Sequence, residues 1–357
     1  MEALGEALLR VKDLHTSFFS GNAEVKAVNG VSFKVLPGET FGLVGESGCG
    51  KTAICRSISR LIHAPGKIKR GEIHYRGAEG AVDILRLSDE AMRRLRGREI
   101  SMIFQEPMSA LNPVIPIKTQ IYEALDPKLS KKEKYLRSIE LLRLVGIPSP
   151  EKRMREYIHQ FSGGMRQRVM IAIALAGNPR LLLADEPTTA LDVTIQNQIM
   201  LLINSLREKL RMSMILVTHD LSVVSQMCDF VAVMYAGHIM ELCDTVTLFA
   251  APRHPYTYGL LGSIPREGSR RLESINGAPP NLADPLPGCP FAPRCAFKEN
   301  RCEGELPDLR EITPGHRVRC FFYQKLDGLE GFIDQQSRQQ SQAPVEQRYL
   351  AQEAPRT

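Results

Sequence analysis

Eight consecutive residues near the start of the chain combine glycines, a lysine and a threonine at spacings that suit phosphate binding. They are Gly45, Glu46, Ser47, Gly48, Cys49, Gly50, Lys51 and Thr52. Together they match the pattern GxxxxGK[ST], in which glycines let backbone N–H groups converge on one point. Lys51 brings a positive charge to the outer phosphates, and the Thr52 hydroxyl is a suitable ligand for Mg²⁺. The stretch therefore predicts a binding site for a nucleoside triphosphate.

The residues on either side of this stretch predict the elements that would position it. Residues 41–44 form a short apolar run typical of a buried strand, and residues 53–58 have the pattern of a helix. The N-terminus of such a helix adds partial positive charge where the phosphates would lie. The alternative is a glycine-rich turn that Lys and Thr follow by coincidence, and the flanking strand and helix disfavour it.

Acidic and imidazole side chains follow two further apolar runs. Residues 181–184 predict a strand buried on both faces, and Asp185 and Glu186 come directly after it. Residues 214–217 predict the next buried strand, and His219 follows it closely. Because ligands bind at the carboxyl ends of strands in open α/β sheets, we expect these side chains near the bound phosphates.

These side chains suit phosphoryl transfer, which needs mainly positioning and charge neutralisation. We expect Asp185 to hold Mg²⁺ alongside Thr52, and Glu186 to polarise an attacking water. We expect His219 to contact the terminal phosphate. Gln105, which ends a predicted strand over residues 101–104, would contact the metal and the water. Taken singly, each residue has a simpler role, such as capping a helix or packing in the core.

A second anion site is predicted at Ser162, Gly163 and Gly164, which open a helix that continues through Ala176. Exposed backbone donors and a hydroxyl group, with no large side chains beside them, can bind an anion there. Many ordinary helix caps share this pattern, so the pattern alone is weak evidence for an anion site. It supports such a site only together with the other motifs.

Composition and charge exclude several classes of protein. The 357 residues exceed what one hydrophobic core usually supports, so two or three domains are expected. The longest apolar runs are too short to span a bilayer, and residues 1–10 lack the apolar core of a signal peptide. We therefore expect a cytosolic chain, or one held at a membrane by a partner. The formal net charge of +6 is mild and does not indicate nucleic-acid binding.

Four of the eight cysteines are clustered late in the chain, with 5, 6 and 17 residues between them. They are Cys289, Cys295, Cys302 and Cys320. These spacings differ from the close pairs typical of zinc ribbons. Four thiolates on irregular backbone could hold an iron–sulfur cluster or another metal such as zinc, and reduced structural thiols are the alternative.

Taken together, the motifs closely resemble those of an ABC-type ATP-binding subunit, over about residues 8–325. They comprise the phosphate loop, Gln105, the FSGGMRQR stretch, the LLLADEP stretch, Ala190-Leu191-Asp192 and His219. The Ser-Gly-Gly signature separates this family from other phosphate-loop proteins, although Phe161 and Met165 here depart from its common Leu-Ser-Gly-Gly-Gln form.

The resemblance implies ATP and Mg²⁺ as ligands and a pair of ATP-binding domains that close head to tail. Ser162, Gly163 and Gly164 would then serve ATP bound to the partner. Asp192 would lie at the dimer seam, and Phe18 would stack on adenine. The implied fold class is α/β, a P-loop core of the ABC ATPase type with an antiparallel β subdomain, a helical insertion and a small loop-rich C-terminal cysteine domain.

We expect three parts along the chain. Residues 1–255 would form the ATPase domain, with a helical subdomain at about residues 106–178. Residues 256–328 would form the domain with the four cysteines, because prolines become frequent after about residue 250. Residues 329–357 are polar and of low complexity, which predicts disorder.

Residues 254–261 and 288–295 resemble the ATP-binding subunits of oligopeptide and dipeptide importers, whose C-terminal cysteines can bind a 4Fe–4S cluster. The resemblance implies an ATPase that powers peptide import from the cytoplasmic face of the bacterial plasma membrane, as a peripheral subunit. Its partners would be a second, different ATP-binding subunit, two transmembrane permease subunits touched by residues 106–113 and, indirectly, an extracytoplasmic peptide-binding protein. No nucleic-acid partner is expected.

Other functions share some of these motifs. Within transport, nickel and antimicrobial-peptide uptake systems share most of them. A soluble ABC ATPase acting on DNA or ribosomes usually carries a long coiled-coil insertion or two cassettes in one chain. The sequence predicts neither feature, which disfavours this alternative. A regulatory protein that only binds ATP would not need both Glu186 and His219.

Overall fold

The structure is a computed structural model, and it describes residues 6–21, 23–78, 80–189, 191–264 and 275–328. The chain divides into two compact units. The first comprises the described residues up to Leu36, Thr40–Arg76 and those from Thr218 onward, and the second comprises Pro37–Glu39 and Gly77–Val217. The predicted tail and Ala190 lie outside the described residues, and the predicted domain boundaries remain predictions.

The described residues form strands and helices that we number in chain order. The strands are β1 (Leu9–Ser20), β2 (Ala23–Val35), β3 (Thr40–Val44), β4 (Gly66–Gly77), β5 (Gly80–Asp83), β6 (Ile100–Ile103), β7 (Leu181–Asp185), β8 (Ser213–Thr218), β9 (Phe230–Tyr235), β10 (His238–Asp244), β11 (Arg310–Thr313) and β12 (His316–Val318). The helices are α1 (Lys51–Ile58), α2 (Asp89–Leu95), α3 (Pro107–Ala110), α4 (Ile117–Ala124), α5 (Lys131–Leu144), α6 (Pro150–Arg153), α7 (Gly163–Leu175), α8 (Val193–Leu210), α9 (Leu221–Met227), α10 (Thr245–Ala250), α11 (Pro255–Gly262) and α12 (Arg301–Gly304). No helix in the described ranges is long and apolar enough to cross a membrane.

In the first unit, β1 pairs antiparallel with β2 on one side and with β4 on the other. The sequence predicts short strands here, whereas β1 has 12 residues and β2 has 13. In β1 the backbone is irregular at Asp13, where φ is 46° and the pairing with β2 shifts register. The strand continues past this irregularity instead of ending there. This antiparallel sheet is the predicted β subdomain.

The strand that leads to the phosphate loop is buried along its whole length. β3 pairs in parallel with β9, and β9 forms an antiparallel hairpin with β10. The ring of Phe41 stacks on Phe33 at 4.7 Å and on Phe230 at 6.1 Å between centroids. The packing therefore fixes where the loop begins.

Two short strands extend this part of the first unit and were missed from the sequence. β12 pairs antiparallel with β10, and β11 pairs antiparallel with β12. They have three and four residues, and most β11 side chains are exposed, so no apolar alternation marks them.

The second unit contains parallel strands in the order β8, β7, β6, as the continuous apolar runs predict. Helices α3 to α7 fall within the predicted helical insertion. Helix α8 buries Ile199, Ile203 and Leu206 on one stripe. The α/β fold class with an antiparallel subdomain and a helical insertion is confirmed.

A buried carboxylate joins the C-terminal part of the first unit to β10. Both oxygens of Glu241, which is 0% exposed, accept hydrogen bonds. The backbone N–H of Arg253 donates at 2.7 Å and that of His254 at 2.9 Å, while the His316 Nε2 lies 2.8 Å away. The carboxylate thereby fixes the start of α11 and the position of β12.

We predict that Glu241→Ala lowers stability by about 3 kcal/mol, because three partners, two of them on buried residues, lose their acceptor. Thermal unfolding of the full chain measures this loss. The matched control is Glu311→Ala, an acid on the neighbouring β11 whose side chain is 46% exposed. Equal melting temperatures for the two variants would show that the buried carboxylate has no such role.

Candidate nucleotide-binding and catalytic site

Three glycines of the phosphate loop adopt backbone conformations that other residues rarely reach. The φ angles are 148° at Gly45, 77° at Gly48 and 107° at Gly50. A Cβ on Gly45 would lie 2.2 Å from the carbonyl oxygen of Met234, and one on Gly50 would lie 2.0 Å from that of Ala27. Side chains are therefore excluded at both positions by neighbouring backbone as well as by conformation.

Lys51 closes the loop at the first residue of α1. Its side chain is buried, and its ammonium donates to the carbonyl oxygens of Gly45 at 2.7 Å and Glu46 at 3.0 Å. Thr52 follows in the first turn of the helix. The loop thus presents a lysine, a hydroxyl and a helix N-terminus together, as the sequence predicts.

Residues far along the chain hold the loop at Glu46. The Tyr256 hydroxyl accepts a hydrogen bond from the Glu46 backbone N–H at 3.0 Å. The guanidinium of Arg294 donates to the Glu46 carboxylate at 2.8 and 3.0 Å and to the Tyr235 hydroxyl at 3.2 Å. Burial alone would lower the pKa of Arg294. The hydrogen bonds to Glu46 and Tyr235 instead hold this pKa above its ordinary value. The only sequence signal was that Tyr256 and Arg294 lie in the two stretches that resemble peptide importers.

In the second unit, Asp185 and Glu186 come at the carboxyl end of β7. Asp185 is 1% exposed. Glu186 has a φ of 45°, an uncommon conformation for a side chain of this size and one that recurs at functional sites. One Glu186 oxygen accepts hydrogen bonds from the Gln105 amide at 3.0 Å and from the Thr189 hydroxyl at 3.1 Å. The structure therefore brings Gln105 and Glu186 together.

His219 follows β8 directly and has an exposed side chain. It belongs with Lys51 and Thr52 to the first unit, whereas Gln105 and Asp185 belong to the second. The catalytic and metal-binding roles of these residues remain predictions.

The signature residues lie where the sequence predicts a helix start. Ser162 caps α7 and accepts a hydrogen bond from the Met165 N–H at 3.4 Å. Gly163 is exposed, and a Cβ on Gly164 would lie 2.9 Å from the Ile195 side chain. Asp192 is also exposed and caps α8.

Phe18, the predicted adenine platform, lies on β1 and is half-buried. A Cβ on Gly66 of β4 would lie 2.7 Å from its ring, so the ring packs closely over that glycine. Adenine stacking stays a prediction.

The four clustered cysteines line one small cavity with the aromatic rings of Phe291, Phe297, Phe321 and Phe322. Burial raises the pKa of Cys289 to about 11 and that of Cys320 to about 12. In the absence of a bound cation the thiols of Cys289 and Cys320 are therefore neutral at physiological pH.

The spacing of the sulfur atoms tests which metal the cysteines fit. Four thiolates at Zn–S distances near 2.3 Å would lie about 3.8 Å apart. Within the described ranges, the only group of three or more His, Cys, Asp or Glu ligand atoms within 4.8 Å of one another is Glu241, Cys243 and His316. No three of the four cysteine sulfurs therefore lie within 4.8 Å of one another, which is wider than the spacing around one zinc ion, and an iron–sulfur cluster at this donor set stays a prediction.

Comparison with solved structures defines the class of protein. The dimeric, post-hydrolysis ATP-binding cassette MJ0796 bound to ADP and Pi matches with a TM-score of 0.58 and 26% identity, over 66% of this chain and 98% of that one. The cbiO1 subunit of Clostridium perfringens, part of the ABC transporter complex cbiONQ, matches with a TM-score of 0.57 and 26% identity, over 68% and 91% of the two chains. The fold is that of an ABC ATPase cassette.

Sequence comparison places the chain more narrowly. A family model described as ABC transporter matches residues 28–189, and one described as oligopeptide/dipeptide transporter, C-terminal region, matches residues 240–302. The chain is 48% identical over 321 residues to the dipeptide transport ATP-binding protein DppD of Bacillus subtilis, covering 88% of this chain and 95% of that one. It is 46% identical over 321 residues to the oligopeptide transport ATP-binding protein OppD of Escherichia coli, covering 88% and 93%.

The chain belongs to the ABC transporter ATP-binding proteins of the oligopeptide/dipeptide transporter family. As a member of that family it is an ATPase coupled to transport.

We predict that Gly45→Ala abolishes measurable binding of Mg·ATP, because the new methyl group would displace the loop from β9. Equilibrium titration of the full chain with a fluorescent ATP analogue measures the affinity. Gly315→Ala is the matched control, since Gly315 also has a positive φ of 77° but no atom within 4 Å of an added Cβ. Unchanged affinity in Gly45→Ala would contradict the steric account of the loop.

Proposed function

We propose that this chain hydrolyses ATP to power the import of dipeptides or oligopeptides through a membrane complex. The assignment of cargo rests on the match of residues 240–302 to the C-terminal region of oligopeptide/dipeptide transporters. The assignment of chemistry rests on the phosphate loop around a buried Lys51 and on the pairing of Gln105 with Glu186.

In this proposal the loop binds the phosphates of ATP through backbone N–H groups and Lys51. The hydroxyl of Thr52 and the carboxylate of Asp185 would hold Mg²⁺, and hard oxygen donors of this kind fit that ion. When bound, Mg²⁺ neutralises charge on the phosphates. His219 would donate a hydrogen bond to the terminal phosphate.

Glu186 would act as the base that orients and polarises the attacking water. The hydrogen bond from Gln105 and the strained backbone at Glu186 restrict its carboxylate to a narrow range of orientations. A glutamate at this position supports a site that hydrolyses ATP rather than one that only binds it.

The exposed signature residues support a paired arrangement. Ser162 and Gly163 lie at an exposed helix start, so they are accessible to ATP held by a second ATP-binding subunit. Asp192 would lie at the seam of that pair. The second subunit would be a different chain, as the resemblance to peptide importers implies.

The segment after Gln105 supports contact with the permease subunits. It includes Met108, a residue that is 47% exposed, and it is followed by Val114, which is 78% exposed. Such apolar side chains on a surface suit a protein interface. The chain would thereby sit peripherally on the cytoplasmic face of the plasma membrane, with two permease subunits and, across the membrane, a peptide-binding protein.

We further propose that Cys289, Cys295, Cys302 and Cys320 hold a 4Fe–4S cluster. The shared cavity and the wide spacing of the sulfur atoms support this ligand over zinc. The cluster would stabilise a segment with little regular structure, as metals do where a hydrophobic core is small.

We predict that Glu186→Gln retains Mg·ATP binding while turnover falls by roughly 100-fold or more, because the amide cannot accept a proton from water. Hydrolysis and uptake of a labelled dipeptide by proteoliposomes of the full complex measure the effect. Glu208→Gln, an exposed acid on α8, is the control. Parent-level hydrolysis in Glu186→Gln would refute the assigned role.

We predict that replacing all four clustered cysteines by serine removes protein-bound iron and visible absorbance from anaerobically purified protein. Iron content by mass spectrometry gives a result that does not depend on activity. Cys228→Ala, a change at a cysteine outside the cluster, should keep the iron. Wild-type protein containing stoichiometric zinc, or no metal, would overturn the assignment.

A further inference from the structure

We propose that Arg294 is a positioning residue of the phosphate-binding loop, which neutralises Glu46 and makes the cysteine-bearing segment a working part of the nucleotide site. This inference rests on the proposed binding of ATP at that loop. It concerns only residues of the first unit.

The side chain of Arg294 is held rigidly. Only 6% of it is exposed, against 25% of the Glu46 side chain. Besides its bonds to the carboxylate and to Tyr235, it donates to the carbonyl oxygens of Asn276 at 3.0 Å and Ile275 at 3.3 Å. A guanidinium fixed by so many partners holds Glu46 in one orientation at little further cost in conformational entropy.

Three packed aromatic rings lie beside the ion pair between Arg294 and Glu46. The rings of Tyr235 and Tyr256 lie 4.7 Å apart, and Phe291 lies 5.4 Å from the first and 5.2 Å from the second. The Arg294 guanidinium lies 5.7 Å from the Tyr235 ring centroid. Because Tyr256 also receives the Glu46 N–H, both the backbone and the carboxylate of this loop residue are held by the C-terminal part of the chain.

The charges explain why the loop needs this arginine. Glu46 places a negative charge in the loop whose lysine must attract polyphosphate. Without a partner, that carboxylate would offset the charge of Lys51 and repel the nucleotide, at a site where burial weakens screening. The positive charge of Arg294 neutralises the Glu46 carboxylate. The positive charge of Lys51 therefore remains available to attract the phosphates.

The position of Arg294 in the chain connects the loop to the cysteines. It ends the short 3-10 turn Ala292–Arg294, which lies between Cys289 and Cys295. The Cys289 N–H donates to the Cys302 carbonyl at 2.8 Å, which ties this turn to the rest of the segment. Order in the cysteine segment is therefore transmitted to the phosphate loop through Arg294 directly and through the packing of Phe291 on Tyr235 and Tyr256.

The test is a double-mutant cycle on the full chain, with affinity for a non-hydrolysable ATP analogue, Mg·AMP-PNP, as the readout. We expect Arg294→Ala to weaken binding by about tenfold or more, since it leaves a partly buried carboxylate beside the phosphates. Arg294→Lys keeps the charge but loses the N–H groups that donate to Asn276 and Ile275, so the variant should bind the analogue with intermediate affinity. Glu46→Gln combined with Arg294→Ala should recover affinity to within about threefold of Glu46→Gln alone.

Further readouts separate positioning from general stabilisation. Positioning predicts that the KM for ATP rises in Arg294→Ala more than kcat falls, while Arg310→Ala, an exposed arginine of β11, changes neither. Additive losses of affinity in the cycle, or equal affinity in Arg294→Ala and wild type, would overturn the proposal. If Arg294→Ala does not fold, Tyr235→Phe, which removes one partner of Arg294, should still weaken binding. Wild-type protein that fails to bind the analogue would instead refute the proposed nucleotide site.

Discussion

The structure depends on holding one short piece of backbone in a conformation that it would not adopt alone. Gly45 and Gly50 have positive φ angles, and carbonyl oxygens of β9 and β2 lie so close that no side chain fits at either position. The buried strand before the loop fixes its start, and helix α1 fixes its end. Because Lys51 folds back onto the carbonyl oxygens of Gly45 and Glu46, the curvature of the loop and the position of its charge are set together.

The same constraint explains why distant parts of the chain converge on Glu46. The carboxylate of Glu241 fixes the start of α11, and α11 carries the tyrosine that receives the Glu46 N–H. Arg294 completes the arrangement from the cysteine-bearing segment. The C-terminal region that marks the oligopeptide/dipeptide transporter family is thus more than an appendage in this chain, since its side chains contact the phosphate loop directly.

Much of this architecture was predictable because it depends on local patterns. The continuous apolar runs of β3, β7 and β8 mark strands whose observed ends lie within one residue of the predicted ones. Strands β11 and β12 were not predictable, since they are short and gain their pairing only from β10. The contacts of Arg294 with Glu46 join residues 248 positions apart, and nothing in the composition around either residue indicates them. The hydrogen bond from Gln105 to Glu186 was not predicted as such, although both residues were expected at the same edge of the sheet because each follows a parallel strand.

The central claim is that the loop around Lys51 binds the phosphates of ATP. Calorimetric titration of the full chain with Mg·ATP, compared with the same titration of Lys51→Met, tests it most directly. The account predicts one saturable site in the wild type and an affinity at least about 100-fold weaker in the variant, because a buried charge opposite the phosphates is lost. Equal affinity in the two proteins would contradict it.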